Sequence, residues 1–297
     1  MAVDGRMRTM SAATEVAEKR PRVLLEVCVD SLQGVATALR HGADRIELCS
    51  ALEVGGLTPS LGLMETAASL VASQHLERGP PEVVAMIRPR SGDFSYSAMD
   101  LAVMKRDIEC ARRVGLAGVV FGSTTASDTD LDLTAIRSLV AVAQTPHLSH
   151  STPFSITLHR AIDLSPDPVA SLRSMLKELP PGSIDRVLTS GGARSAWDGR
   201  DTIARMVKAA VGSGVVVMAG AGVSVANVSE LVKATGVTDV HASCSSIVDS
   251  ISSMEEREGA TNEVVGKMVA FGFIGREGVK DTDGAKIENL AKIVHAL

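Results

Sequence analysis

The feature that most constrains this chain is a strict alternation of short apolar runs with longer amphipathic segments from residue 22 onward. The runs are rich in β-branched residues, as strands are, and segments such as 99–115 and 198–214 have the pattern of helices. The predicted strands are 23–29, 45–50, 83–89, 118–123, 154–160, 185–191, 215–222 and 239–244. Eight strand-then-helix units predict a parallel sheet closed into a (β/α)₈ TIM barrel, with an open doubly wound sheet as the alternative.

The segments outside this alternation set the expected boundaries. Residues 1–21 have no apolar signal-peptide core, and acidic residues argue against a mitochondrial leader, so we predict a disordered N-terminal tail. We predict one barrel domain over residues 22–297, with a C-terminal extension from about residue 250. In that extension only 285–297 is a clear helix. No G-x-G-x-x-G fingerprint follows the first strand, which disfavours a dinucleotide-binding sheet.

Composition excludes several classes of partner. The formal net charge is −5 and the pI is about 5.8, so no basic surface is expected to attract nucleic acid or anionic lipid. No apolar run approaches the roughly 20 residues of a membrane span. Four cysteines are too few for a disulfide scaffold in a chain of 297 residues. We therefore expect free thiols in a reducing cytoplasm.

Strand periodicity predicts which side chains enter the barrel. Side chains alternate between the two faces of a strand, and the wholly apolar face of each strand should pack on the helices. The charged or titratable residues that this alternation turns inward are Glu26, Glu47, Arg88, His159 and His241. These five are the candidate catalytic residues. An internal salt-bridge network of Arg88 with Glu26 and Glu47 is the structural alternative to a ligand site.

Two cysteines share the inward face of the first two strands. Cys28 and Cys49 each follow a glutamate by two residues, and if the strand registers match, their sulfurs face each other. Paired thiolates favour Cu(I), so this pair is the candidate metal site; two small buried packing residues are the alternative. Cys110 lies in a predicted helix and is expected in the core, whereas Cys244 is a weaker third candidate.

Several motifs resemble those of one known family. They are EVCVDSLQG, HGADRIELCSALEVGGLTPSLG, MIRPRSGDFSYS, LHRAID, RVLTSGG, VMAGAGV and the strand that carries His241. On these segments the chain resembles the CutC copper-homeostasis family from about residue 25 to about residue 245. The resemblance implies a TIM barrel, control of intracellular copper, Cu(I) binding through Cys28 and Cys49, and a homo-oligomer. The region after Cys244 departs from the family's usual pattern.

A TIM-barrel enzyme is the second hypothesis. Glycine-rich loops follow the sixth and seventh strands, and barrels commonly bind phosphate after strands seven and eight. The candidate anion-binding residues are Gly220, Gly222 and Ser243. Arg88 and His159 would then bind an anionic, for instance phosphorylated, small molecule, with Glu26 or Glu47 as general base. We favour a copper-binding protein over an enzyme, and either a copper ion or a small molecule as its ligand.

Overall fold

The structure is a computed structural model that describes residues 22–74, 79–127, 129–145, 154–248, 262–271 and 279–297. The predicted disordered tail, 1–21, lies outside the described residues, as do residues 249–261 and 272–278 of the predicted extension. No helix in the described part of the chain combines the length and apolar character needed to cross a bilayer.

Eight parallel strands close into a barrel in sequence order, which confirms the predicted TIM-barrel fold. The strands are β1 Leu24–Val29, β2 Arg45–Leu48, β3 Glu82–Met86, β4 Gly118–Phe121, β5 Ser155–Leu158, β6 Arg186–Thr189, β7 Val216–Ala219 and β8 Asp239–Ala242. Each lies within a predicted strand segment or starts one residue before it. The closing pair joins β1 to β8, with Glu26 opposite His241.

Helices follow the first seven barrel strands and cover the outside of the barrel, and two more helices lie in the described C-terminal part. They are α1 Leu32–His41, α2 Leu61–Ala72, α3 Ala98–Arg113, α4 Leu133–Ala143, α5 Pro168–Glu178, α6 Arg200–Ala210, α7 Val228–Thr235, α8 Asn262–Ala270 and α9 Gly284–Val294. The ends of α1 follow from its sequence. At the N-terminus, the Ser31 side chain is the N-cap and accepts a hydrogen bond from the Gly34 amide. At the C-terminus, Gly42 adopts the left-handed conformation and its N–H donates to the carbonyl of Ala38.

The main core lies between the strands and the helices. Leu25, Val27 and Val29 of β1 are fully buried there, together with Ile46 and Leu48 of β2. Their alternation leaves the intervening polar residues for the barrel interior, as the sequence pattern predicts. The apolar layer therefore stabilises the fold while polar groups remain available inside the barrel.

The C-terminal part adds elements that the sequence reading did not include. Strand β9, Ser245–Val248, pairs antiparallel with β10, Val279–Thr282, outside the barrel. After β10, the Asp283 side chain caps α9, which packs beside α1 and α7. This arrangement brings residues 280–282 to the barrel mouth.

Candidate functional site

A cavity of about 1060 Å³ opens at the C-terminal ends of the barrel strands. Residues that directly follow a strand line it, because parallel strands all end at the same mouth of the barrel. Asp30 follows β1, His159 follows β5 and Ser243 follows β8. The inward-facing residues predicted from the sequence that line this cavity are Cys28, Glu47, Arg88, His159 and His241.

Beneath the cavity floor, Glu26 belongs to a buried ion network. Arg45 Nη1 donates to Glu26 Oε2 at 3.0 Å, and its Nη2 donates to Asp239 Oδ2 at 2.7 Å. The Arg45 Nε atom lies 3.4 Å from the half-exposed carboxylate of Glu82. Sequence reasoning missed Arg45, although the alternation that turns Glu47 inward applies equally two positions earlier.

The expected salt-bridge network of Arg88 with Glu26 and Glu47 does not form. Among the described residues Arg88 has no carboxylate partner, because it lies two residues beyond the end of β3 and nearby loops surround it. Its guanidinium donates instead to three main-chain carbonyls, those of Val54 (2.8 Å), Gly56 (3.1 Å) and Gly92 (2.7 Å). Arg45, lower in the barrel, takes the place predicted for Arg88.

Three side chains on the cavity floor could hold a metal ion. One ligand atom each from Cys28, Glu47 and His241 lies within 4.8 Å of the other two. His241 Nδ1 is 2.7 Å from Glu26 Oε1, and its Nε2 is 3.9 Å from Glu47 Oε2. A carboxylate bonded to the far nitrogen is the arrangement that orients many metal-binding histidines. With Nδ1 bonded to Glu26, the Nε2 atom of His241 faces the cluster.

Charges around the floor decide which groups are ionised. Burial lowers the pKa of His241, but the facing Cys28 and Glu47, with the bond to Glu26, raise it well above its usual value. Burial also raises the pKa of Glu47 to about 7, opposed by His241. For Glu26 burial raises the pKa, yet His241 and Arg45 outweigh it and lower the pKa to about 2. A metal ion bound here must therefore displace a proton from His241.

The two candidate thiols occupy different levels of the barrel. The register of β1 and β2 places Cys28 opposite Glu47, so the two E-x-C segments are offset by two residues rather than matched. Such stagger accompanies closure of a sheet into a barrel. Cys28 is 8% exposed and lines the cavity, whereas Cys49 is 0% exposed. The Cys49 Sγ nevertheless lies 3.6 Å from Glu47 Oε2, next to the cluster.

The predicted anion-binding residues divide between the cavity surface and the packing beneath it. Gly222 and Ser243 line the cavity. The Gly220 amide donates to the carbonyl of Thr189, and a Cβ at this position would lie 2.5 Å from Leu188 Cδ1. Gly220 is therefore packed closely against the Leu188 side chain, and a ligand contact for Gly222 and Ser243 stays a prediction.

The C-terminal strand β10 supplies part of the cavity wall that sequence reasoning missed. Lys280, Asp281 and Thr282 line the mouth, and the Thr282 Oγ1 lies within 2.8 Å of the position that a Cβ on Gly34 would take. No motif in this segment indicated such a place. The pairing of β10 with β9 and its packing against α1 hold it there.

Fold and site together define a (β/α)₈ barrel protein with a buried thiol–carboxylate–imidazole cluster below a polar mouth. The chain belongs to the CutC family, whose model matches residues 23–246. The CutC family protein of Caulobacter vibrioides is 42% identical over 276 residues, which are 93% of this chain and 98% of the relative. That of Vibrio vulnificus is 44% identical over 219 residues, covering 74% and 80%. These matches confirm the resemblance expected from the motifs.

A solved CutC structure from Streptococcus agalactiae has the same architecture. It superimposes with a TM-score of 0.64 at 27% sequence identity, covering 74% of this chain and 98% of that one. The S. agalactiae protein is described as a candidate copper homeostasis protein.

Proposed function

We propose that this chain binds Cu(I) at the cavity floor and acts in copper homeostasis. The observation that carries the proposal is the cluster in which ligand atoms of Cys28, Glu47 and His241 lie within 4.8 Å of one another. The description of the S. agalactiae relative supports the choice of metal. In this proposal Cys28 and Cys49 provide thiolates and His241 provides an imidazole nitrogen.

The chemistry of the donors fits a soft monovalent ion. Thiolates select Cu(I) over hard cations, and imidazole is also a common copper ligand. Cys28 lines the cavity, so an ion entering from the mouth can reach its sulfur. His241 is oriented by Glu26 beneath it, which keeps its Nε2 atom on the cavity side.

Cys49 joins this site through Glu47. Burial raises the pKa of the Cys49 thiol well above its usual value, and the neighbouring Glu47 raises it further. The thiol donates to Glu47 Oε2 at 3.6 Å, and a metal ion bound to Cys49 would displace the thiol proton. All four cysteines are free in the structure, which fits a proposed location in the reducing cytoplasm.

An anaerobic Cu(I) titration against a competing chelator tests the proposal. We expect Cys28→Ser, Cys49→Ser and His241→Ala each to lower the affinity, by about 10-fold or more. Cys110→Ser is the matched control, because Cys110 lies on α3, away from the barrel interior, and its loss should leave the affinity unchanged.

Two results would contradict the assignment. Unchanged Cu(I) affinity in the Cys28→Ser, Cys49→Ser double variant would show that the thiols are packing residues. A preference for Zn(II), with dependence on Glu47 rather than Cys49, would instead identify a zinc site, since cysteine, histidine and glutamate together also suit zinc. A parallel Zn(II) titration of Glu47→Gln separates these cases.

A further inference from the structure

Arg88 is a buried cation whose charge no carboxylate among the described residues neutralises. Its side chain lines the cavity and the residue is 5% exposed. The carbonyls of Val54, Gly56 and Gly92 accept from its two Nη atoms, and its buried Nε atom has no hydrogen-bond partner within the described part of the chain. Carbonyl dipoles compensate a buried charge only in part, so the free protein keeps an excess of positive charge on this wall.

His159 adds an unpaired donor to the same wall. It is 4% exposed, and its Nδ1 accepts the amide of Ala161 at 3.1 Å, which places the ring proton on Nε2. That Nε2 atom is buried and has no partner among the described residues. Burial, with Arg88 nearby, lowers the pKa of His159 to about 3, so the ring stays neutral. The Nε2–H group is thus a fixed donor.

Phe94 connects these two donors. The guanidinium carbon of Arg88 lies 4.9 Å from the Phe94 ring centroid, and the His159 ring lies 4.6 Å from it. Aromatic contacts of this kind hold both side chains in place without using their N–H groups. The Phe94 ring also lines the cavity, so the wall combines an apolar surface with two donors.

The side of the cavity built by β1 and β2 has the opposite character. Asp30 and Glu47 line it, whereas His159 follows β5, directly across the closed eight-strand order from β1. Arg160 also lines the cavity, but it is paired with Asp163 at 2.9 Å. Arg88 and His159 therefore lie beyond the ends of β3 and β5, whereas the carboxyl groups of Asp30 and Glu47 lie at the end of β1 and on β2, where Lys280 of β10 also lines the mouth.

We propose that the cavity binds a small hydroxy- or amino-carboxylate, with its carboxylate at Arg88 and His159 and its hydroxyl or amine toward Asp30 and Glu47. One buried uncompensated cation matches one negative charge, which favours a monocarboxylate over a phosphate dianion. The Asp30 carboxylate across the cavity accepts from a hydroxyl or ammonium group and repels a second anion, and the Glu47 carboxyl can hydrogen-bond to the same polar group. The cavity volume of about 1060 Å³ leaves ample room for a small metabolite. This proposal does not depend on copper.

Thermal unfolding of the full chain in the presence of glycerate tests it. With a chelator present to exclude metal, millimolar glycerate should raise the melting temperature, and glycerol, which lacks the carboxylate, should not. In Arg88→Gln and His159→Gln, the glycerate concentration needed for a given rise in melting temperature should be at least tenfold higher than in wild type. Arg106→Gln, on the exposed face of α3, is the matched arginine control. Glycerate should still raise the melting temperature of Cys28→Ser. This variant therefore separates a failure of the carboxylate proposal from a failure of the copper proposal.

A second measurement covers the case in which Arg88→Gln does not fold. In wild-type protein with ¹⁵N-labelled histidine, glycerate should shift the Nε2 signal of His159, assigned by its loss in His159→Gln, and glycerol should not. An unmoved His159 signal with an unchanged melting temperature would overturn the proposal. A stronger response to inorganic phosphate than to glycerate would overturn the carboxylate class in favour of a phosphate site.

Discussion

Glu26 and His241 are 215 residues apart in the chain, yet Glu26 Oε1 lies 2.7 Å from His241 Nδ1 inside the barrel. The other oxygen of Glu26 accepts from Arg45 at 3.0 Å. One buried carboxylate therefore connects the ion network beneath the floor to the imidazole that faces the candidate metal cluster. Any change to this carboxylate should affect stability and metal binding together.

Glu26→Gln removes the negative charge that Arg45 and His241 share. Because it breaks a buried ion pair, we expect a loss of about 3 kcal/mol in the free energy of unfolding, measured by urea denaturation. Metal affinity should fall about 10- to 100-fold, since His241 loses the partner that orients it. Glu82→Gln is the control: Glu82 also contacts Arg45 but is half-exposed, so the loss should be below about 1 kcal/mol. Equal losses would contradict this account of Glu26.

Glu47→Gln should change how stability depends on pH. The folded-state pKa of Glu47 is raised to about 7, above its ordinary value of 4.5. The contribution of Glu47 to the free energy of unfolding is therefore fully present below about pH 4.5. It is lost as the pH rises through about 7, where the buried carboxyl must ionise. When the pH is raised from about 5 to about 8, the free energy of unfolding of Glu47→Gln should rise by about 1–3 kcal/mol relative to that of wild type.

Denaturation of both proteins at the two pH values measures this difference. The exposed Glu53, which also lines the cavity, provides the control variant Glu53→Gln, whose stability should follow wild type at both pH values. A Glu47→Gln variant whose stability also runs parallel to wild type would show that Glu47 is not held protonated in the fold.

Thiol labelling should distinguish the four cysteines. We expect an alkylating reagent to modify Cys110, which is partly exposed, fastest in the native protein. Cys49 should resist modification because it is fully buried and burial raises the pKa of its thiol well above the usual value. Timed labelling followed by peptide mass spectrometry gives the order, and rapid modification of Cys49 would contradict the packing described.

Gly118→Ala should destabilise the barrel at the junction of β4 and β5. A Cβ at this position would lie 2.2 Å from the main-chain oxygen of Ser155, its neighbour in the sheet, so a strand must move. We expect a loss of more than about 2 kcal/mol in the free energy of unfolding. Gly62→Ala is the control, because a Cβ in this first turn of α2 meets no atom within 4 Å. It should be neutral or stabilise by up to about 1 kcal/mol.

Local pattern sufficed to predict the fold and most inward-facing side chains. Alternation along one strand is a property of that strand alone, so the inward positions of Glu26, Glu47 and His241 were readable from the sequence. The motifs also carried the family resemblance that the comparisons confirm. Arg45 was equally readable by this rule, because it lies two positions before Glu47 on the same face of β2.

Tertiary structure decided how these side chains meet. The offset that places Cys28 opposite Glu47 rather than Cys49 comes from the stagger of strands in the closed barrel, which no single strand encodes. Whether Arg88 finds a carboxylate or carbonyl oxygens depends on loops that converge only after closure. The sequence by itself therefore determined which groups enter the barrel, whereas register and closure determined their partners, because partnership depends on contacts between segments far apart in the chain.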